Sequence, residues 1–454
     1  MAPPCGRVVL FPMPYPGHTI PMFHLAAVLR SRGFSITVLH TELRAPDPAA
    51  HPPEYRFVAV ADGTPPELVV SEDAAAVLTS LNETCAAPFA DRLAALLAEE
   101  GGVLCVIADV MWYAPAAAAP ELGVPLMLLM TSSASSFRTF MEYPLLLERG
   151  FLPVDDAQKD TLVDILPPFR VKDLQRIDTT NLYSFANVLA NVVAAARLSS
   201  GLILNTFDFI EGDNICRIRD ELSIPVFAIG PLNKLIPLVG RSSFLPPDCD
   251  CLRWLDTQAP SSVLFVSFGT MATIDAQEFL EVAWGLAGTK LPFLWVVRPS
   301  LVRGLRLHSS ELPSDLQEEI NGRGRIVSWA PQEKVLGHPS VRAFMTHNGW
   351  NSTIESISEG VPMICRPCFG DQMGNARYVC DVWRLGVEME VGSVLQRAKV
   401  QTAVEKLVNG EEGQNVKQRM RNLRIEAEKC VSKGGSSDTG LRNLVDSILS
   451  FGKC

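Results

Sequence analysis

Short runs of β-branched and other apolar residues alternate with longer segments of helical periodicity, and this alternation occurs twice along the chain. Alternation of this kind is typical of βαβ units around a parallel sheet. The predicted strands of the first half are Arg7 to Pro12, Phe34 to His40, Leu104 to Asp109, Pro125 to Met130, Gly201 to Thr206 and Val226 to Ile229. Those of the second half are Ser262 to Ser267, Pro292 to Val297, Arg325 to Ser328, Arg342 to Thr346 and Pro362 to Cys365. The sequence therefore predicts an α/β protein with two doubly wound, Rossmann-like domains.

The alternation pauses between the two halves. The segment from Pro231 to Cys251 is rich in Pro, Ser and Asp and only weakly periodic, which is typical of a linker. We place an N-terminal domain at 1–235, the linker at 236–250 and a C-terminal domain at 251–435. Ligands of doubly wound proteins bind at the carboxyl ends of the strands, so we expect the site between the two halves.

Composition excludes several classes of function. The net charge is −10 and no basic stripe appears, so nucleic acid is not an expected partner. The apolar stretches Val8–Leu29 and Leu104–Met130 are interrupted by prolines and polar residues, so neither predicts a leader or a membrane span. The eleven scattered cysteines indicate reduced thiols and a cytoplasmic protein.

The segment from Trp329 to Gln372, WAPQEKVLGHPSVRAFMTHNGWNSTIESISEGVPMICRPCFGDQ, contains a predicted anion site. A strand ends there at His347, and Asn351-Ser352 are predicted to open a helix as capping residues. A helix N-terminus offers unpaired N–H groups and a positive dipole, which suits a diphosphate. Gly349 allows the backbone to approach it closely.

The same segment offers groups for the rest of a nucleotide sugar. Glu355 lies about one helical turn after Asn351 and can accept hydrogen bonds from ribose hydroxyls. Trp329 offers a flat face to a base, and Asp371 and Gln372 can bind sugar hydroxyls. Taken singly, a Trp after a strand is usually core and Asn-Ser is usually a cap; the complete pattern favours a ligand site.

The whole segment resembles the donor-binding signature of the plant family 1 UDP-glycosyltransferases. This resemblance implies the GT-B fold, two Rossmann-like domains facing across a cleft, with a C-terminal helix at 436–454 packing back on the first domain. It also implies that Gln372 goes with a glucose donor. Position 348 is Asn where the family commonly has Cys, a departure that is not expected to cost donor binding. The implied donor-binding residues are Ser267, Thr270, Trp329, Ala330, Gln332, His347, Asn348, Gly349, Trp350, Asn351, Ser352, Glu355, Asp371 and Gln372.

A catalytic pair is predicted in the first half. His18, in PMPYPGHTIPM, lies in the turn after the first strand, before a helix predicted from about Ile20 to Arg30. Histidine is a natural base near neutral pH. Asp109, in VIADVMWYA, ends another strand and can orient such a base. Both resemble the family's catalytic residues, although Thr19-Ile20 departs from its pattern. A turn or helix-capping role for His18 is the alternative.

The resemblance implies direct displacement, in which an acceptor hydroxyl (or nitrogen) attacks UDP-glucose and gives a β-glucoside. UDP-glucose is then the co-substrate, no metal or other cofactor is expected, and the protein is expected to be a monomer. LMTSSASSF, HNGWNST and VKDL resemble the subgroup acting on terpenoids, cytokinins and benzoxazinoids, which implies a small, mostly apolar acceptor. Candidate acceptor contacts are Tyr15, Trp112, Phe137, Arg138 and Phe369.

Other interpretations rest on weaker patterns. Asp248-Cys249-Asp250 matches a metal-binding Asp-x-Asp motif but lies in the predicted linker, and Cys365-x-x-Cys368 has no second pair for zinc. No GxGxxG follows a strand, as a dinucleotide oxidoreductase requires. A catalytically silent binder of UDP-sugars or small molecules remains the alternative function, and the presence of both His18 and Asp109 argues against it.

Overall fold

The computed structural model describes residues 5–65, 68, 73–177, 179, 181–235, 249–298, 301–304, 312–389 and 395–453. The chain forms two compact units. Unit 1 consists of Met1–Phe244 together with Lys429–Cys454, and unit 2 consists of Leu245–Glu428.

Unit 1 is built on a seven-stranded sheet with the strand order β3-β2-β1-β4-β5-β6-β7, in which neighbouring strands are parallel. The strands are β1 (Arg7–Phe11), β2 (Ser35–Thr41), β3 (Arg56–Val60), β4 (Cys105–Asp109), β5 (Leu126–Met130), β6 (Gly201–Leu204) and β7 (Val226–Ala228). The helices are α1 (Pro16–Ser31), α2 (Ala74–Leu97), α3 (Tyr113–Glu121), α4 (Ala134–Glu148), α5 (Leu182–Leu198), α6 (Asp208–Leu222) and α7 (Leu232–Leu235).

Unit 2 has a six-stranded parallel sheet, β12-β10-β8-β13-β14-β15, and a small parallel pair, β9-β11. The strands are β8 (Val263–Ser267), β9 (Ile274–Asp275), β10 (Phe293–Val296), β11 (Val302–Arg303), β12 (Gly324–Val327), β13 (Val341–Thr346), β14 (Met363–Cys365) and β15 (Gly386–Glu388). The helices are α8 (Cys249–Asp256), α9 (Ala276–Gly288), α10 (Ser314–Ile320), α11 (Gln332–Leu336), α12 (Trp350–Glu359), α13 (Gln372–Arg377), α14 (Arg397–Val408) and α15 (Glu411–Val431).

The last helix, α16 (Ser436–Ser450), belongs to unit 1. Leu441, Leu444 and Ile448 are buried in the same core as the side chains of β1 and α1. Ser437 Oγ donates a hydrogen bond to the Gly230 carbonyl at 2.5 Å, so the start of the helix is held beside the end of β7. The helix therefore completes the core of the first unit.

The predicted strands agree with the structure to within about two residues at either end, and the parallel sheet in each unit confirms the α/β prediction. Among the described elements, β3, β9, β11 and β15 were not predicted. The first helix begins at Pro16 rather than near Ile20, because proline at a first helical position needs no hydrogen-bond partner for its nitrogen. His18 consequently lies in the first turn of α1.

The predicted linker at 236–250 falls mostly outside the described residues, and α8 begins within it at Cys249. In the part of the chain that the structure describes, no helix has the length and the apolar composition that crossing a bilayer requires.

Candidate catalytic pair and donor site

His18 and Asp109 are brought together by neighbouring strands. β1 leads into α1, and β4 ends at Asp109; the two strands are paired, with Phe11 opposite Ala108. His18 Nδ1 lies 2.8 Å from Asp109 Oδ2. The Asp109 side chain is 0% exposed, whereas the His18 side chain keeps 33% of its surface exposed. A buried carboxylate thus holds an imidazole that is still accessible.

The Asp109 carboxylate is held on both oxygens. The backbone N–H of Met111 donates to Oδ1 at 3.0 Å, and the Thr131 hydroxyl lies 3.5 Å from Oδ2 and 3.0 Å from His18 Nδ1. Thr131 follows β5, the strand beside β4, and it is buried. Sequence reasoning missed Thr131; the available signal was a polar residue directly after an apolar strand, the same signal that identified Asp109.

This arrangement fixes the tautomer of His18. An ionised carboxylate only accepts hydrogen bonds, so the Nδ1–H of the imidazole donates to Asp109. Nε2 is then the basic nitrogen of the neutral ring. The pair has the geometry of a general base oriented by a carboxylate.

The predicted donor-binding segments of unit 2 follow the carboxyl ends of neighbouring strands, at one edge of the sheet. Ser267 ends β8 and Thr346 ends β13, and these two residues are paired in register. His347 follows Thr346, and its imidazole lies against Gly269. A β-carbon at Gly269 would stand 2.5 Å from His347 Nε2, and one at Gly349 would stand 2.6 Å from it. Both glycines are therefore required by the close approach of the ring.

Burial keeps His347 neutral. Desolvation lowers its pKa to about 4, because the surroundings disfavour the charged imidazolium. Its buried Nδ1 has no hydrogen-bond partner among the described residues. The ring therefore offers hydrogen-bonding atoms rather than a positive charge.

Helix α12 begins at Trp350, and the residue before it, Gly349, has no side chain that could cap the helix. The prediction that Asn351-Ser352 cap this helix is wrong: they are its second and third residues, because the chain turns at Asn348 and Gly349. A helix start preceded by glycine, with its N–H groups and positive dipole, suits an anion.

The side chain of Asn348 has a structural role. It is fully buried, its φ is +62°, and its Nδ2 donates to Cys365 Sγ at 3.2 Å. Asparagine tolerates this left-handed conformation better than most residues. Trp350 is also buried and packs beside Trp383, with ring centroids 6.5 Å apart. Neither side chain has surface to offer a ligand.

Gln332 connects the first turn of α12 to its second. Its Nε2 donates to Ser352 Oγ at 3.0 Å and to Glu355 Oε2 at 2.8 Å. Burial, together with the negative charges of Glu333 and Glu359, raises the pKa of Glu355 to about 8. Glu355 therefore binds a proton more readily than an exposed glutamate does. Trp329 is half-exposed and Ala330 is buried, just before α11.

Asp371 and Gln372 follow β14. The Oε1 of Gln372 accepts hydrogen bonds from the backbone N–H groups of Cys368 and Phe369, at 2.9 and 3.2 Å. Asn375 Nδ2 donates to Asp371 Oδ2 at 3.0 Å. The amide oxygen of Gln372 is therefore committed to the turn, and its Nε2 is the group that can donate to a ligand.

The predicted acceptor residues have different surroundings. Trp112 stacks on Phe11 at 4.5 Å and is fully buried, as is Phe137. Arg138 is 4% exposed and donates to Asn214 Oδ1 and to the Ile165 carbonyl. The side chains of Trp112, Phe137 and Arg138 belong to the core of unit 1. Although each lies near a strand end, each faces the interior. Tyr15 and Phe369 are only partly buried.

The weaker sequence patterns find no support in the geometry. Asp248 lies outside the described residues, and Asp250 forms an ion pair with Arg253 within α8. Burial raises the pKa of Cys368, which disfavours a reactive thiolate. Within the described ranges, no group of three or more His, Cys, Asp or Glu side chains is arranged to hold a metal ion.

Residues 246–430 match the family model of UDP-glucoronosyl and UDP-glucosyl transferases. Over 98% of both chains, the protein is 52% identical to the DIMBOA UDP-glucosyltransferase BX9 of Zea mays. The chain belongs to the plant family 1 UDP-glycosyltransferases. This family member is a UDP-glucose-dependent glycosyltransferase, as its sequence predicts. It is also 41% identical to UDP-glycosyltransferase 76B1 of Arabidopsis thaliana, over 98% of each chain.

Solved structures confirm the fold of this glycosyltransferase. Phytolacca americana UGT2, complexed with UDP-2fluoro-glucose and pterostilbene, superposes with a TM-score of 0.83 at 30% identity, over 98% of this chain and 100% of that chain. The predicted GT-B fold is therefore confirmed, and a UDP-sugar is the co-substrate.

Proposed function

We propose that this enzyme transfers glucose from UDP-glucose to a hydroxyl of a small, mostly apolar plant metabolite or hormone, with inversion to a β-glucoside. The two Zea mays relatives named as DIMBOA UDP-glucosyltransferases are each 52% identical to it, so DIMBOA is the first acceptor to test. The observation that carries the proposal is the 2.8 Å contact between the accessible His18 and the buried Asp109.

His18 acts as the general base. Its Nε2 accepts the proton of the acceptor hydroxyl while the acceptor oxygen forms a bond to the anomeric carbon. The bond between that carbon and the diphosphate oxygen breaks, and UDP leaves with the electron pair. Asp109 stabilises the imidazolium that forms, and Thr131 holds the two side chains in register.

The diphosphate binds at the start of α12, beside the turn Ser267–Thr270 of the neighbouring strand. The N–H groups of Trp350, Asn351 and Ser352 provide donors and a positive dipole. His347 contributes as a neutral hydrogen-bond donor, because burial holds its pKa at about 4. These groups stabilise the charge that develops on the departing diphosphate.

The remainder of the donor is bound by side chains of unit 2. Trp329 stacks on the uracil, and the Glu355 carboxylate accepts hydrogen bonds from the ribose hydroxyls. Gln372 donates through Nε2, and Asp371 accepts, at the glucose hydroxyls. The Gln332 contact to Ser352 and Glu355 keeps the ribose and diphosphate positions aligned.

Unit 1 binds the acceptor in this proposal. Tyr15 is one expected contact, because it is only partly buried and its ring lies 6.3 Å from that of His18. Phe369, in unit 2, is the other. Trp112, Phe137 and Arg138 shape unit 1 from within its core rather than by direct contact.

We further propose that the enzyme is metal-independent, monomeric and cytoplasmic, with an acceptor-binding domain at 1–235, a linker at 236–250 and a donor-binding domain at 251–435. Helix α12 and His347 supply the leaving-group stabilisation that a metal would otherwise give. The scattered, odd number of cysteines supports a reducing compartment.

The decisive experiment incubates the purified protein with UDP-glucose, EDTA and a panel containing DIMBOA and other phenolics, terpenoids and hormones. UDP release and the mass of the product are followed, with His18→Ala alongside. A hexose mass gain that persists in EDTA and disappears in His18→Ala supports the proposal. A product formed equally by His18→Ala would overturn the role of the base, and loss of product in EDTA would overturn metal independence.

A further inference from the structure

A cavity of about 320 Å³ lies in unit 2 at the edge of the sheet where the strands begin. Ser261 precedes β8, Val341 is the first residue of β13 and Pro362 precedes β14, and all three line the cavity. The donor segments leave the opposite, carboxyl ends of the same strands. Cavities of this size commonly bind small molecules. The catalytic pair and the predicted donor-binding residues are not among the residues that line this one.

Positive side chains dominate the wall of this cavity. Arg342, Lys417, Arg421 and Arg424 line it, and Glu359 is the one carboxylate among the described lining residues. Lys417, Arg421 and Arg424 stand at spacings of four and three residues on α15, so they share one face of that helix. This concentration of positive charge occurs in a chain whose net charge is −10.

Existing contacts leave most of that charge uncompensated. Arg342 donates to the Val408 carbonyl and Lys417 to the Ser261 hydroxyl, which are neutral acceptors. Arg424 caps α12 at the Glu359 carbonyl and pairs with Glu428. These contacts satisfy individual N–H groups, but among the described residues only Arg424 of these four forms an ion pair with a carboxylate.

Arg421 is the lining cation whose charge is least compensated by the described residues. It is exposed, and no hydrogen bond or ion pair joins it to another described residue. Burial lowers the pKa of Lys417, and the charges of Arg421 and Arg342 lower it further. Like charges therefore lie close together on the wall of this cavity, an arrangement that an anion would relieve.

We propose that this cavity, which we call the basic cavity, is a binding site for a small phosphate-bearing anion, separate from the donor site. Guanidinium groups bind phosphoryl oxygens in a bidentate manner, and Arg421 and Arg342 provide two such groups beside the Lys417 ammonium. Glu359, the last residue of α12, lines the basic cavity, whereas the proposed diphosphate site lies at the first turn of that helix. Ten helical residues separate the two sites by about 15 Å.

The test is calorimetric titration of inorganic pyrophosphate into the full-length protein saturated with UDP, so that the donor site is occupied. We expect one site for pyrophosphate. Arg421→Glu should weaken the affinity for pyrophosphate by at least about tenfold. Arg421→Gln should weaken it less, because both substitutions remove a charge-assisted hydrogen bond but only Arg421→Glu adds repulsion. Arg419→Gln is the matched control, because Arg419 is on α15 but does not line the cavity.

Thermal unfolding provides a second measurement. Without an anion, Arg421→Gln should unfold at the same or a higher temperature than the wild type, because the substitution removes repulsion with Lys417. With pyrophosphate, the wild type and Arg419→Gln should gain more stability than Arg421→Gln. Absence of pyrophosphate binding to the wild type overturns the proposal, as does an equal loss of affinity in Arg421→Glu and Arg419→Gln. The effect of the Arg421 substitutions on pyrophosphate affinity can be measured whether or not UDP binds. A failure of this proposal can therefore be distinguished from a failure of the donor-site assignment.

Discussion

The Asp109 carboxylate is completely buried and lies 2.8 Å from the Nδ1 of His18, which keeps a third of its side chain accessible. The carboxylate can therefore act on substrates only through the imidazole. His18 is thus the residue that can contact the acceptor, and Asp109 is the residue that orients and stabilises His18.

Replacing either member of this pair should reduce turnover while leaving donor binding intact. His18→Ala should lower kcat about 10³-fold, since a positioned general base contributes about 10²–10⁴-fold. Asp109→Asn should cost a similar factor, because an amide can donate to Nδ1 and impose the wrong tautomer. Steady-state kinetics with UDP-glucose and calorimetric UDP affinity measure the two effects. A variant that loses UDP affinity in proportion to kcat would contradict the assignment to acceptor activation.

Thr131→Val tests the hydroxyl that lies 3.0 Å from His18 Nδ1. Loss of one hydrogen bond of about 0.5–1.5 kcal/mol should lower kcat by about two- to tenfold. Thr131→Ser keeps the hydroxyl and should retain most activity. Because Thr131 positions the pair, the pH profile of kcat should also shift in Thr131→Val. An unchanged profile, or a Ser variant as slow as the Val variant, would assign Thr131 to packing alone.

UDP-glucose affinity should rise with pH below about 8. Burial and nearby carboxylates raise the pKa of Glu355 to about 8, and ribose hydroxyls favour its ionised form, so binding should lower that pKa and release a proton. The dissociation constant should therefore improve by up to about tenfold per pH unit towards pH 8 and then level off. Calorimetry in buffers of different ionisation enthalpy counts the released protons. Glu355→Gln resembles the protonated form, so it should bind weakly with no such dependence; a wild-type affinity that does not change with pH would refute the role.

Gly269→Ala should disable the donor site through His347. Its β-carbon would stand 2.5 Å from His347 Nε2 in a backbone with φ of +80°. Gly304 has a φ of +82° with open space around its β-carbon position, so Gly304→Ala carries the same backbone strain without the collision. We expect UDP-glucose affinity to fall at least about tenfold in the first variant and to stay within about twofold in the second. Equal losses in both would point to backbone strain instead.

The sequence was most informative where a local pattern is complete. β8 (VLFVS) and β13 (VRAFMT) are mostly apolar and end in a polar residue, so their ends, and with them Ser267 and His347, could be located from residues alone. β15 has three residues and β9 two, too few for a period to be recognised. The start of α1 was placed late because Pro16 and Pro21 suggested a loop, although proline is tolerated in a first helical turn.

It was harder to predict from the sequence which side chains contact one another across the sheet. Thr131 reaches His18 only because β5 lies beside β4, an order that sequence spacing does not give. The burial of Trp112 against Phe11 depends on which side of the strand the ring takes. The left-handed backbone of Asn348 and its bond to Cys365 likewise arise from the turn as a whole. The residue types were visible in the sequence; their partners were not.

The return of α16 to unit 1 affects the order in which the protein can mature during synthesis. Leu444 and Ile448 fill the core that contains β1, yet they leave the ribosome after all of unit 2. Domains usually complete folding in the order of their synthesis. Here the first sheet to be translated must wait for the last helix, so the later-encoded donor domain can reach its native structure first.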